Sequence, residues 1–213
     1  VTWLAKRFFN NQYNTGKLLE DIFSSDWFYS EKNIGTRIKS PVELLAGIRR
    51  LLPLQLDNDQ TQLLLQKVLG QVLFFPPNVA GWPGGRSWID SSTLMVRLQI
   101  PQALVAKETL NIRAKSDDDV NMGQIIEEQV RIKKNRAIVD KGGSASIDWT
   151  PVVNIFEKTT RENLPATITS ILLQSSSNTG TAVIEKYTSS ESREEFIKSW
   201  IIRLMSTPEY QMC

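Results

Sequence analysis

Four residues in one short stretch have side chains suited to holding a ligand: Trp82, Arg86, Trp88 and Asp90. Indole plates can stack on a sugar ring, and an arginine–aspartate pair offers charge-assisted hydrogen bonds to hydroxyls or a carboxylate. The segment that carries the first three runs from Phe74 to Trp88, with Asp90 just after it, and cannot be ordinary helix. Pro76, Pro77 and Pro83 each fix φ and lack an amide donor, while Gly81, Gly84 and Gly85 open conformations closed to other residues. The plainer reading of the same residues is a rigid loop that staples helices. Both indoles would then be buried, and Arg86 would pair with Asp90 or with a carbonyl.

A second constellation is acidic. Counted from Asp117, oxygen ligands fall at position one, at three with Asp119, at five with Asn121 and at twelve with Glu128. That is the spacing of a calcium-binding EF-hand loop. The glycine required at position six arrives one place late, as Gly123, and Met122 occupies the sharp turn. The alternative is a solvated acidic cap that opens a helix. Calcium is the one cofactor this sequence admits; otherwise none is expected.

Other chemistry is thinly represented. Glu127-Glu128 and Glu194-Glu195 are neighbours, which on a helix point about 100° apart and make no acid/base dyad by themselves. Arg131, Lys133, Lys134 and Arg136 form a basic run without interleaved aromatics, the pattern of a solvated face and not of a nucleic-acid surface. No phosphate-binding glycine loop, dinucleotide fingerprint or serine nucleophile elbow is present. The chain has no histidine, which removes Ser-His-Asp and Cys-His catalysis, histidine metal sites and imidazole switching. Its one cysteine, Cys213, is the last residue, so no internal disulfide and no cysteine-based zinc or iron–sulfur site can form.

The elements that must position these residues are helical. At 213 residues the chain is long enough to bury roughly 70% of its unfolded surface without staples. A net charge of +2 argues for neither nucleic acid nor membrane. No run approaches the length of a membrane span, no basic-then-apolar leader is visible, and the chain opens Val1-Thr2-Trp3 without a starting methionine, so it reads as a fragment of something longer. Helical spacing is expected over Trp3–Phe9 and Thr15–Phe23, followed by an aromatic turn, Trp27-Phe28-Tyr29, whose rings are expected in the core. Ser40-Pro41-Val42-Glu43 is a capping box with proline at the first helical position, and it starts a helix to about Leu52. Asp57-Asn58-Asp59 caps a helix from Gln60 to about Leu73. Beyond the Pro/Gly/Trp segment, Asp90, Ser91 or Ser92 caps a helix that Pro101 kinks or interrupts. Residues 120–139 read as a charged helix or, with Val130 and Ile132 alternating, as a small hairpin near 128–140. Gly142-Gly143-Ser144 is the expected linker. Helices then start at Thr150-Pro151, at Pro165 and after the box Ser192–Glu195, with a loop over Ser175–Gly180 and a closing turn at Thr207-Pro208.

The central segment also resembles a large bacterial family known as Domain of Unknown Function eighteen-hundred. Pro76, Pro77, Asn78, Val79, Gly81, Trp82, Pro83, Gly84, Gly85, Trp88 and Arg97 match its pattern, as do Ile38 to Glu43 and the closing Pro208-Glu209-Tyr210-Gln211. The likeness spans nearly the whole chain. The family has no assigned activity, so it transfers no catalytic residue. It implies a longer protein of which this chain is the C-terminal part, an export signal with a periplasmic or extracellular home, and a neighbouring exported protein as partner.

Together these readings predict an all-α protein, an irregular multi-helix domain over 1–213 built around a buried or half-buried Pro/Gly/Trp crossover, with 111–149 as an insertion or linker. The expected function is a non-catalytic binding or assembly module with a protein partner in the cell envelope. The rival is a hydrolase-like enzyme acting on a glycan or ester at Trp82 and Trp88; a third reading is a calcium-stabilised module.

Overall fold

The computed structural model describes residues 1–56, 59–106, 145–174 and 181–213. The chain divides into two compact units, Val1–Thr36 and Arg37–Cys213.

In the first unit, α1 (Thr2–Asn10) and α2 (Thr15–Phe23) pack on each other where the helical spacing placed them. Gln12 and Tyr13 turn the chain with φ of 53° and 59°. Asn14 then caps α2 by accepting from the Lys17 amide at 3.1 Å. Arg7 clamps Asp21 through two hydrogen bonds of 2.6 Å. The aromatic turn departs from expectation: Trp27 and Tyr29 are exposed, and neither helix has a buried residue. A unit of this size has too little interior to enclose its rings. They meet edge to face instead, as Phe23–Phe28 and Phe28–Tyr29 do.

The second unit holds the core. Helix α3 (Pro41–Leu51) has the full capping box, with Ser40 Oγ accepting from the Glu43 amide and the Glu43 carboxylate accepting from the Ser40 amide. Strand β1 (Leu54–Leu56) follows, then α4 (Asp59–Val68). This helix ends before the expected Leu73. Gly70 takes the left-handed conformation, φ +85°, and Gln66 Oε1 accepts from the Leu73 amide, so the ending is capped from within. A short 3₁₀ turn, Gly85–Trp88, leads into α5 (Ser91–Ala106), which runs through Pro101 as one helix.

Strand β2 (Ala145–Ile147) pairs antiparallel with β1, Leu54 opposite Ile147 and Leu56 opposite Ala145. This small pair joins distant segments. The expected hairpin at 128–140, most of the 111–149 insertion and the 175–180 loop lie outside the described residues. Helices α6 (Thr150–Ile155), α7 (Leu164–Leu172), α8 (Thr181–Lys186) and α9 (Arg193–Met205) follow, and a 3₁₀ turn at Glu209–Gln211 closes the unit. Helix α8 was not expected from sequence.

Helix α9 is the hub, packed on α5, α6, α7, α8 and the closing turn. Its Ile197, Trp200, Leu204 and Met205 are almost wholly buried, in one core cluster with Leu164 and Ile168 of α7, Ile100 of α5 and Leu44 and Ile48 of α3. Arg193 anchors its first turn, donating to the carbonyls of Phe156 and Thr159 at the end of α6. Among the described residues no helix is long and apolar enough to cross a membrane. The protein is mostly helical, as its sequence indicated.

Candidate functional site

The Pro/Gly/Trp segment has an inner end and an outer end. At the inner end, Gly84 and Gly85 hold φ of 62° and 58°, which lets the chain tighten into the 3₁₀ turn that tucks Trp88 into the protein. The Trp88 carbonyl accepts from Thr93 Oγ1. Asp90 is the N-cap of α5. Its Oδ1 accepts from the amides of Ser92 (2.9 Å) and Thr93 (2.8 Å), while its own amide donates to Thr93 Oγ1 at 2.9 Å. Each side chain closes the other's backbone, which stiffens the entry to the helix.

At the outer end the segment stands in water. Phe74 is 90% exposed, Phe75 77% exposed, and Val79 fully so. The stretch from Leu73 to Ala80 is exposed throughout, including Pro76, Pro77 and Asn78. The expected buried or half-buried crossover holds at the inner end, where Trp88 is buried and Gly81, Trp82 and Gly84 are half-buried, and fails over 73–80. The reason is local. Prolines cannot donate to a neighbouring element, Phe74 is held at φ 64°, and Asn78 Oδ1 accepts from the Ala80 amide within the arm itself.

Of the four candidate ligand-binding residues, Trp88 is buried, Asp90 is committed to its cap, Trp82 is half-buried and Arg86 is exposed. They share one stretch of chain, and none of them lines the recess found among the described residues. That recess, of about 20 Å³, lies between Leu45, Ile48, Leu54, Leu56, Leu65 and Leu104, with Arg49 and Gln62 at its edge. That volume is room for about one water. The calcium candidates Asp117, Asp119, Asn121 and Glu128 lie outside the described residues.

A corner that sequence reasoning passed over is more unusual. Arg97 is fully buried, and its Nη1 donates to the Lys39 carbonyl at 3.0 Å. The Lys39 amide donates to the Gln211 carbonyl at 2.8 Å, and its ammonium donates to the Tyr210 carbonyl at 2.7 Å while lying 3.9 Å from the centre of the Tyr210 ring. Burial lowers the basicity of both Lys39 and Arg97, and it pushes the Tyr210 phenol well above its usual range. One signal for this corner was legible in the sequence: Arg97 is the only charge in the sixteen residues of α5. The helix still shows Met95, Gln99 and Val105 to solvent, so a lone charge marks the helix but not the face on which Arg97 lies.

The corner is made by the three regions in which the family resemblance is written: 38–43, the segment leading to Arg97, and 208–211. The family described as "Protein of unknown function (DUF1800)" matches residues 1–212. The chain belongs to that family. No curated protein and no solved structure matches it. In this DUF1800 chain the family pattern thus marks a structural junction. Lys39 and Gln211, far apart in sequence, are bonded to each other, and Arg97 is bonded to Lys39 between them.

Proposed function

We propose that the chain is a non-catalytic binding or assembly module of an exported bacterial protein, and that it meets a protein partner in the cell envelope through the arm 73–80. The observation that carries this reading is the display of Phe74, Phe75 and Val79 to solvent beside the fixed turn that buries Trp88. Several large apolar side chains exposed together on a constrained backbone are the usual mark of an interaction surface. A preordered arm also loses little conformational freedom on binding. The chemistry of the chain supports the same reading. It has no histidine, and the carboxylate nearest the crossover, Asp90, serves its helix.

The test compares the wild-type chain with the triple variant Phe74→Ser, Phe75→Ser, Val79→Ser in capture from envelope extracts of the source cell. Because the three side chains are exposed, the variant melts within a few degrees of wild type. The wild type retains a protein that the variant loses. Equal retention by both, or recovery of a glycan strand with no protein, overturns the reading.

A further inference from the structure

The helix pair of the first unit has one polar flank and one apolar flank. In each helix the inner stripe is half-buried: Leu4 and Phe8 in α1, Leu18 and Ile22 in α2. Successive helical residues stand about 100° apart. One residue before Phe8 and Ile22 come Arg7 and Asp21, which are bonded to each other across the pair. That bond fixes one flank of the hairpin as polar. One residue after the same stripe come Phe9, Leu19 and Phe23. In two antiparallel helices joined by a short turn, these three emerge together on the opposite flank.

Ring contacts extend that flank. Tyr13, in the turn, meets Phe9 edge to face at 5.9 Å. At the other end Phe28 meets Phe23 at 5.0 Å and Tyr29 at 5.2 Å. None of these six side chains carries a charge at neutral pH, and all of them are exposed. Aromatic side chains bury about 150–250 Å² each, so five rings and a leucine exposed by about half present roughly 600 Å² of apolar surface.

Two such flanks laid together hide about 1,200 Å², the lower end of the range for specific, stable interfaces. The charges of the unit also balance, Lys6, Arg7, Lys17 and Lys32 against Glu20, Asp21, Asp26 and Glu31. A second copy therefore meets no net repulsion, whereas an anionic lipid surface asks for an excess of basic residues that the unit lacks. Val1–Thr36 is shorter than the roughly 40 residues below which small units lean on disulfides, metals or oligomerisation, and it holds no cysteine and no histidine.

We propose that the flank bearing Phe9, Leu19 and Phe23 is a self-association face, on which a second copy of the chain lays the same flank about a two-fold axis to close a short four-helix bundle. The contact uses no residue of the arm at 73–80 and stands or falls without it.

The test is sedimentation of the 213-residue chain from about 1 to about 100 μM, the range in which a small interface assembles. Wild type, Leu19→Glu, Leu19→Lys and the triple variant at Phe74, Phe75 and Val79 are compared. Wild type and the triple variant reach a mass twice the 24.2 kDa of one chain. Leu19→Glu and Leu19→Lys, each placing a charge inside the contact, raise the dissociation constant at least about tenfold. Leu19 is exposed, so both variants melt within a few degrees of wild type. Should either melt well below that, an equal mixture of the two decides: a dimer regained on mixing supports the proposal, and its absence overturns it. A wild type that stays monomeric overturns the proposal, and if that monomer sediments with phosphatidylglycerol vesicles the face belongs to lipid. A dimer that survives Leu19→Glu and is lost in the triple variant overturns it as well, by placing the contact on the arm.

Discussion

Glu43 shows how one side chain ties a helix start to its neighbours. It closes the capping box of α3 and pairs with Arg37 through bonds of 2.6 and 3.0 Å. Hydrogen bonding from Arg37, opposed by partial burial and helped by Ser40, pulls its pKa down to about 2. The folded pKa lies below the unfolded value near 4.5, so the carboxylate stabilises the fold at neutral pH, and that contribution is lost as pH falls from about 4.5 through about 2. The side chain is 42% exposed, so solvent screening keeps the effect small. Glu43→Gln is expected to cost about 1 kcal/mol or less at pH 7 and to flatten the acid limb of stability between pH 4.5 and 2. Urea midpoints measured across that range check it, and an unchanged acid limb contradicts it.

At the scale of the element, α5 joins two constraints. Its start is fixed by Asp90, and its middle carries Pro101, which cannot donate to the carbonyl of Arg97 four residues earlier. The helix keeps its course because buried Ile100 and Leu104 hold it against the core. Because Asp90 acts as a cap, Asp90→Asn leaves stability within a few tenths of a kcal/mol, since asparagine caps equally well, whereas Asp90→Ala costs about 1 kcal/mol. Denaturant unfolding of both variants separates this from a ligand-holding role. A large loss in both variants would mean that the charge itself is needed.

For the molecule as a whole, the closing segment completes the second unit. Arg37 and Cys213 exchange backbone hydrogen bonds of 3.0 and 2.7 Å, Ile38 bridges Met212, and Tyr210 and Gln211 are buried. Deleting residues 209–213 removes a buried aromatic and uncovers Arg97 and Lys39. Loss of the aromatic alone resembles a large-to-small core change, so the deletion is expected to cost at least about 3 kcal/mol. A deletion variant that unfolds in urea within about 1 kcal/mol of wild type would show that the segment is an accessory tail.

Helix existence was legible in the sequence wherever periodicity and chemistry agreed. The Ser40–Glu43 box, the Ser192 cap and the paired helices at 2–10 and 15–23 stand where spacing put them, because caps and amphipathic stripes are local. The end of α4 was misjudged because the left-handed turn at Gly70 outweighed the apolar run beyond it. Burial was less legible. Trp27 and Phe75 look like core residues by type and are exposed, whereas Arg97 looks like surface and is sealed inside. Which face of a ring or a charge meets water depends on neighbours far along the chain. So the sequence alone determined a helical protein with a stiff Pro/Gly/Trp crossover and little conventional catalytic equipment. Only tertiary packing decided that Trp88 turns in while Phe74 and Phe75 turn out, and that Lys39, Arg97 and Gln211 meet. That meeting depends on a backbone bond from Lys39 to Gln211 and on the Arg97 side chain reaching the Lys39 carbonyl 58 residues earlier, and no local pattern encodes those bonds.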